Sequence, residues 1–123
     1  MTLLKIARMG QPVLLKSAAV IADPASKQVE ELLDDMVETM EDAVGVGLAA
    51  PQVYEGKRAI IFKSPRERGR EDGMDTDFSS LTALINPEFA PVTDELSLGW
   101  EGCLSIPGIT GAVPRYSHIV YRG

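Results

Sequence analysis

Between Val29 and Met40 the apolar residues fall at Val29, Leu32, Leu33, Met36, Val37 and Met40, the spacing of one face of an α-helix. This predicts a helix lying between Asp23-Pro24 and Asp42. Asp23 is the expected N-cap, and Pro24 the first helical residue, where a missing N–H does no harm. Glu30, Glu31, Asp34, Asp35 and Glu38 occupy the other side and read as a solvated face. After Gly45 the pattern shortens. Ala59-Ile60-Ile61-Phe62 predicts a buried strand, and Leu81 to Ile85 another, stopped at Asn86-Pro87. Lys63 to Ser80 is polar and reads as a long exposed loop. Leu96 to Ser105 predicts a further strand, Gly108 and Gly111 are expected to break the stretch after it, and extended sequence resumes from Tyr116 to Tyr121. One early amphipathic helix packed on short, mostly antiparallel strands makes an α+β domain.

Composition narrows the class. A chain of 123 residues with 45% apolar and 24% charged residues is sized for a single globular domain, 1–123. The net charge of −6 argues against a nucleic-acid surface, which needs a basic stripe. No apolar run reaches the length of a membrane span, so no membrane partner is expected. The one cysteine cannot form an internal disulfide, which suits a reducing cytoplasm and leaves a thiol free to bind metal or react.

Two stretches carry chemistry. In Gly45-Val46-Gly47-Leu48-Ala49-Ala50-Pro51-Gln52, two glycines allow close backbone approach and two alanines keep the wall shallow. Pro51 is expected to end any helix just before Gln52, whose amide can donate to a developing oxyanion without changing charge. Tight helix–strand packing would also account for a lone Gly-x-Gly. In Glu101-Gly102-Cys103-Leu104-Ser105, a cysteine could be mere packing, but Gly102 removes bulk beside it and Glu101 calls for a partner, with Arg115 the candidate. A Glu101–Arg115 pair would be structural support for the cysteine loop.

Taken together, the two stretches resemble the first two signature motifs of the peptide deformylases, Gly-x-Gly-x-Ala-Ala-x-Gln and Glu-Gly-Cys-x-Ser, with every fixed position present in order. Asn86-Pro87, Trp100 and Ile106-Pro107 extend the likeness over nearly the whole chain. The resemblance implies a metal-dependent amidohydrolase that removes the N-formyl group from the starting methionine of nascent proteins, near the ribosome exit. It implies a divalent metal, Fe²⁺ in the family with Zn²⁺, Ni²⁺ or Co²⁺ as alternatives, held by Cys103 and by two histidines of a His-Glu-x-x-His motif. Gln52 and the Leu104 N–H would meet the oxyanion, while Val46, Gly47 and Gly102 would pair with the peptide as an added strand.

The third motif is not in this sequence, whose one histidine is His118 in Tyr116-Ser117-His118-Ile119-Val120-Tyr121. No glutamate follows it, and it reads as an ordinary strand or surface residue; a Cys103–His118 nucleophile pair ranks below the metal reading. The expectation is a peptide deformylase-like domain that is incomplete, lacking the metal-binding helix. It would hold metal weakly, turn over little substrate and expose an apolar side of its sheet. The alternatives are a non-catalytic relict that binds N-terminal peptides and a cysteine-dependent hydrolase.

Overall fold

A computed structural model describes residues 2–64 and 80–123. The predicted loop from Lys63 to Ser80 therefore lies mostly outside the described residues, and its two ends belong to strands. The elements run α1 (Pro12–Leu15), α2 (Lys27–Asp42), β1 (Gly47–Ala49), a 3₁₀ turn (Ala50–Val53), β2 (Ala59–Ser64), β3 (Ser80–Ile85), β4 (Glu88–Pro91), β5 (Leu96–Cys103), β6 (Ile106–Tyr116) and β7 (Ile119–Arg122). All strand pairs are antiparallel: β1-β2-β3 form one sheet, β4 pairs with β7, and β5 pairs with β6. The α+β architecture is as the sequence predicts.

Helix α2 starts later than expected. Ser26, not Asp23, is the N-cap, its hydroxyl accepting from the Val29 N–H at 3.3 Å. Asp23 and Pro24 form the turn ahead of it, where the Asp23 carboxylate accepts from the Ala25 N–H at 3.2 Å. A hydroxyl three residues before an orphan amide N–H meets the same need, one turn further along. The apolar face is as read: Val29, Met36 and Met40 are buried, with Leu32, Leu33 and Val37 packed beside them. Of the acidic side, Asp35 and Glu38 are only half-exposed. Asp35 accepts from the Thr2 N–H at 2.9 Å, so this edge of the helix is not wholly solvated.

The core lies between α2 and the first sheet. Leu48, Ala50, Val53, Ala59 and Ile61 close onto Met36 and Met40, and Leu48 sits opposite Ile61 across the β1–β2 pair. Ala59 and Ile61 alternate inward along β2, as a half-buried strand requires. The stop at Asn86 has a specific geometry. Asn86 adopts φ 54°, and its side-chain amide pairs with both backbone groups of Ile21, at 2.8 and 3.0 Å. Asparagine is among the few residues that take this conformation without glycine.

Two further expectations are corrected. Gly108 and Gly111 do not end the strand; β6 runs through both. Gly102 faces Thr110 while Cys103 faces Ile106, so Pro107, Gly108 and Ile109 have no residue opposite and form a bulge. Gly108, at φ 81°, supplies the left-handed conformation that this bulge uses. Pro51, for its part, does not terminate a helix. It sits in the first positions of the 3₁₀ turn, where its fixed φ helps to start one.

Candidate active site

Gln52 lies in the 3₁₀ turn directly after β1, and Cys103 ends β5 just before the tight turn at Leu104-Ser105. The structure brings the two together. The Gln52 Nε2 donates to Cys103 Sγ at 3.6 Å and to Ser105 Oγ at 3.1 Å, while Gln52 Oε1 accepts from the Ala49 N–H at 2.9 Å. Because a backbone N–H can only donate, Ala49 fixes which end of the amide is oxygen. The NH₂ group must then face the thiol. Cys103 is exposed, Gln52 half-buried and Ser105 buried.

The backbone under the site is clamped from the N-terminal segment. The Ala7 N–H donates to the Gln52 carbonyl at 2.6 Å, and the Met9 N–H to the Ser105 carbonyl at 2.8 Å. One short N-terminal segment thereby ties both motifs together. Sequence reasoning missed this strap, since Ala7 and Met9 have no chemistry of their own and act through main-chain groups. It also left Ser105 without a role, although Ser105 is the last fixed position of the second motif.

A cleft of about 700 Å³ opens over this pair, lined by Val46, Gly47, Gln52, Gly102, Cys103 and Leu104 together with the β6 bulge. All the sequence-derived catalytic, metal and peptide-binding candidates border it. Glu101 and Arg115 stand alongside on the β5–β6 ribbon. Arg115 donates to both Glu101 oxygens, from Nε at 2.9 Å and from Nη2 at 2.7 Å. The Arg115 hydrogen bonds hold the Glu101 carboxyl below its ordinary pKa, partial desolvation opposes them, and the charge attraction adds to the lowering. Arg115 is correspondingly raised by the same hydrogen bonds and charge. The pair is solvent-facing rather than buried, with 37% of the Glu101 side chain exposed. His118 is exposed in the bend between β6 and β7 and does not line the cleft.

Comparison with known proteins gives this geometry a lineage. The family model described as Polypeptide deformylase matches residues 3–123. This chain belongs to that family. It is 45% identical over 118 residues to peptide deformylase 1 of Bordetella pertussis, covering 96% of this chain and 65% of that protein. It is 42% identical over 120 residues to peptide deformylase 2 of Pseudomonas putida, covering 96% and 66%. Among solved structures, the Met-Ala-Ser-bound class I type b peptide deformylase of Acinetobacter baumannii superposes with a TM-score of 0.82 at 34% identity, covering 98% of this chain and 75% of that one. The peptide deformylase of Ehrlichia chaffeensis gives a TM-score of 0.80 at 29% identity, covering 96% and 66%. The chain thus spans about 65% of the length of the first of these curated relatives.

The polypeptide deformylase family implies a divalent metal, and the donor set here can be tested against it. Cys103 offers a soft, accessible thiol, a donor type that suits zinc or iron. Among the described residues, however, no three His, Cys, Asp or Glu side chains converge to hold an ion. One thiol beside a neutral amide is not by itself a metal centre, so the described residues do not fit the group alone.

Proposed function

We propose that the cleft receives the start of an N-formylmethionyl peptide in extended form and presents its formyl carbonyl to Gln52, for hydrolytic release of formate. The observation that carries this reading is the Gln52 amide, locked by Ala49 with its NH₂ directed at Cys103 inside a glycine-lined cleft. Water adds across the formyl C–N bond, giving formate and a free amine. As negative charge grows on the formyl oxygen, a fixed amide donor stabilises it without reorganising. Of its two N–H bonds, the long one to sulfur is the one that yields to the substrate oxygen. The Leu104 N–H, one residue past the thiol, is the second proposed donor.

The peptide itself would add beside β1. Among the described residues that strand has a hydrogen-bonded neighbour only in β2, which places it at the edge of its sheet. Gly47 lines the cleft on that strand and Val46 just before it, leaving main-chain groups open to an incoming strand. Gly102 plays the matching part on the β5 side. Cys103 is the proposed metal ligand, and Glu101 with Arg115 the proposed support for its loop.

What these residues supply is binding, orientation and a charge-stabilising donor. Among the described residues lining the cleft there is no carboxylate or imidazole to act as a base for water. The 123-residue polypeptide is therefore expected to bind formyl-Met-Ala-Ser without appreciable turnover, and to retain little metal. Titration of the ¹⁵N-labelled chain with this peptide should shift Val46, Gly47 and Gly102 amides first. Metal analysis and a formate-release assay complete the test. Absence of peptide-induced shifts in the cleft would remove the functional reading, while turnover with one metal per chain would remove the claim about its donor set.

A further inference from the structure

We propose that Ser105 is a positioning residue for the Gln52 amide, setting the direction in which its second N–H points at Cys103. Ala49 decides which end of the amide is oxygen, but a single contact at Oε1 leaves the group free to swing about that hinge. The Ser105 hydroxyl removes this freedom. It is buried, accepts one Nε2 proton at 3.1 Å, and leaves the other directed to Cys103 Sγ at 3.6 Å. The Gln52 backbone and the Ser105 anchor are held near each other, because their carbonyls accept from the Ala7 and Met9 N–H groups of one segment. The shorter bond is sheltered and the longer one is exposed, so an entering carbonyl oxygen displaces the contact to sulfur and keeps the contact to Ser105. A donor held at both ends meets a developing charge without first finding its orientation.

The use made of the aligned amide rests on the proposed function; the alignment itself does not, and can be measured without substrate. In the ¹⁵N-labelled 123-residue chain, the two Gln52 side-chain amide protons should be distinct, one showing contacts to the Ser105 β-protons and exchanging slowly with water. Ser105→Ala should speed that exchange about tenfold or more and shift the Gln52 amide pair, and Ser105→Thr should restore both. A change in overall melting temperature alone would not reproduce this local signature or its rescue by a hydroxyl. If Ser105→Ala leaves the Gln52 pair as in the wild type, the assignment is wrong. Should the alanine variant fail to fold, the wild type decides: free-glutamine exchange rates for both protons overturn the proposal. Slow exchange there, with no response to formyl-Met-Ala-Ser, would support the positioning role and count against the peptide reading instead.

Discussion

Gly45 and Gly47 stand two residues apart in one motif, yet the structure gives them different reasons to lack a side chain. A Cβ on Gly45 would come within 2.8 Å of Leu104 Cδ1 and 3.5 Å of Met40 Cγ, so this glycine is filled from the protein side. A Cβ on Gly47 would meet only the Ile61 carbonyl at 3.7 Å and Phe62 Cβ at 3.9 Å, which are ordinary contacts. Neither residue has the positive φ that would demand glycine for its backbone. The fold therefore does not require Gly47 to be bare, and the proposed peptide cleft that it lines supplies the other reason. Gly47→Ala should change stability by no more than about 0.5 kcal/mol while weakening formyl-Met-Ala-Ser binding. Gly45→Ala must turn aside the end of the Leu104 side chain, the neighbour of the thiol, and should destabilise by about 1 kcal/mol, the low end for overpacking because that end is flexible. Thermal melts and peptide titrations of the two variants separate the roles. Equal loss of stability in both would refute the distinction.

At the scale of elements, the β5–β6 ribbon carries the cysteine, and its ion pair gives it a pH signature. Arg115 pairs across from Ser97 and Glu101 from Gly111, so the guanidinium reaches along the ribbon rather than straight across it. The Glu101 carboxyl is lowered in the folded state, chiefly by the Arg115 hydrogen bonds. Its contribution to stability is thus fully present above the unfolded value of about 4.3 and is lost as pH falls through the lower folded value. In that interval the unfolded chain binds more protons, so stability rises with pH. Carboxyl ¹³C titration should place the Glu101 midpoint below that of an ordinary glutamate, and Arg115→Met should return it there. An unshifted midpoint in the wild type would show that the pair does not persist in solution. This pairing was legible in the sequence, as were the apolar face of α2 and the strands at Ala59 and Leu81, because periodicity and charge report directly on burial. The start of α2 was not, since Ser26 and Asp23 are both good caps and only the chain's path chooses between them. The β6 bulge and the strap at Ala7 and Met9 escaped for a related reason. They are made by main-chain geometry, which residue types constrain weakly.

Across the whole molecule, the three small sheets are covered unevenly. The first sheet packs on α2, and Phe62 meets Tyr121 edge-on at 5.8 Å between ring centroids, joining it to the β4–β7 pair. The β5–β6 ribbon has no such cover among the described residues. Leu96, Leu98 and Trp100 recur at every second position and share one face of β5, where Leu98 is 73% and Trp100 79% exposed. Phe89 and Val120, on β4 and β7, are exposed as well. Single exposed apolar residues are commonplace, but a row of them on an extended ribbon is a surface that associates. The net charge of −6 opposes contact between copies and should make the effect depend on salt. We expect the 123-residue polypeptide to sediment as a concentration-dependent mixture that shifts toward larger species as salt screens the repulsion. The double variant Leu98→Lys, Trp100→Lys should sediment as a monomer, and its melting free energy should stay within about 0.5 kcal/mol because neither side chain contributes to the core. If the wild type remains monomeric at high concentration and high salt, the exposed row is not an associating surface. If the double variant unfolds instead, these side chains are packed in solution, and the ribbon is not the uncovered element it is taken to be.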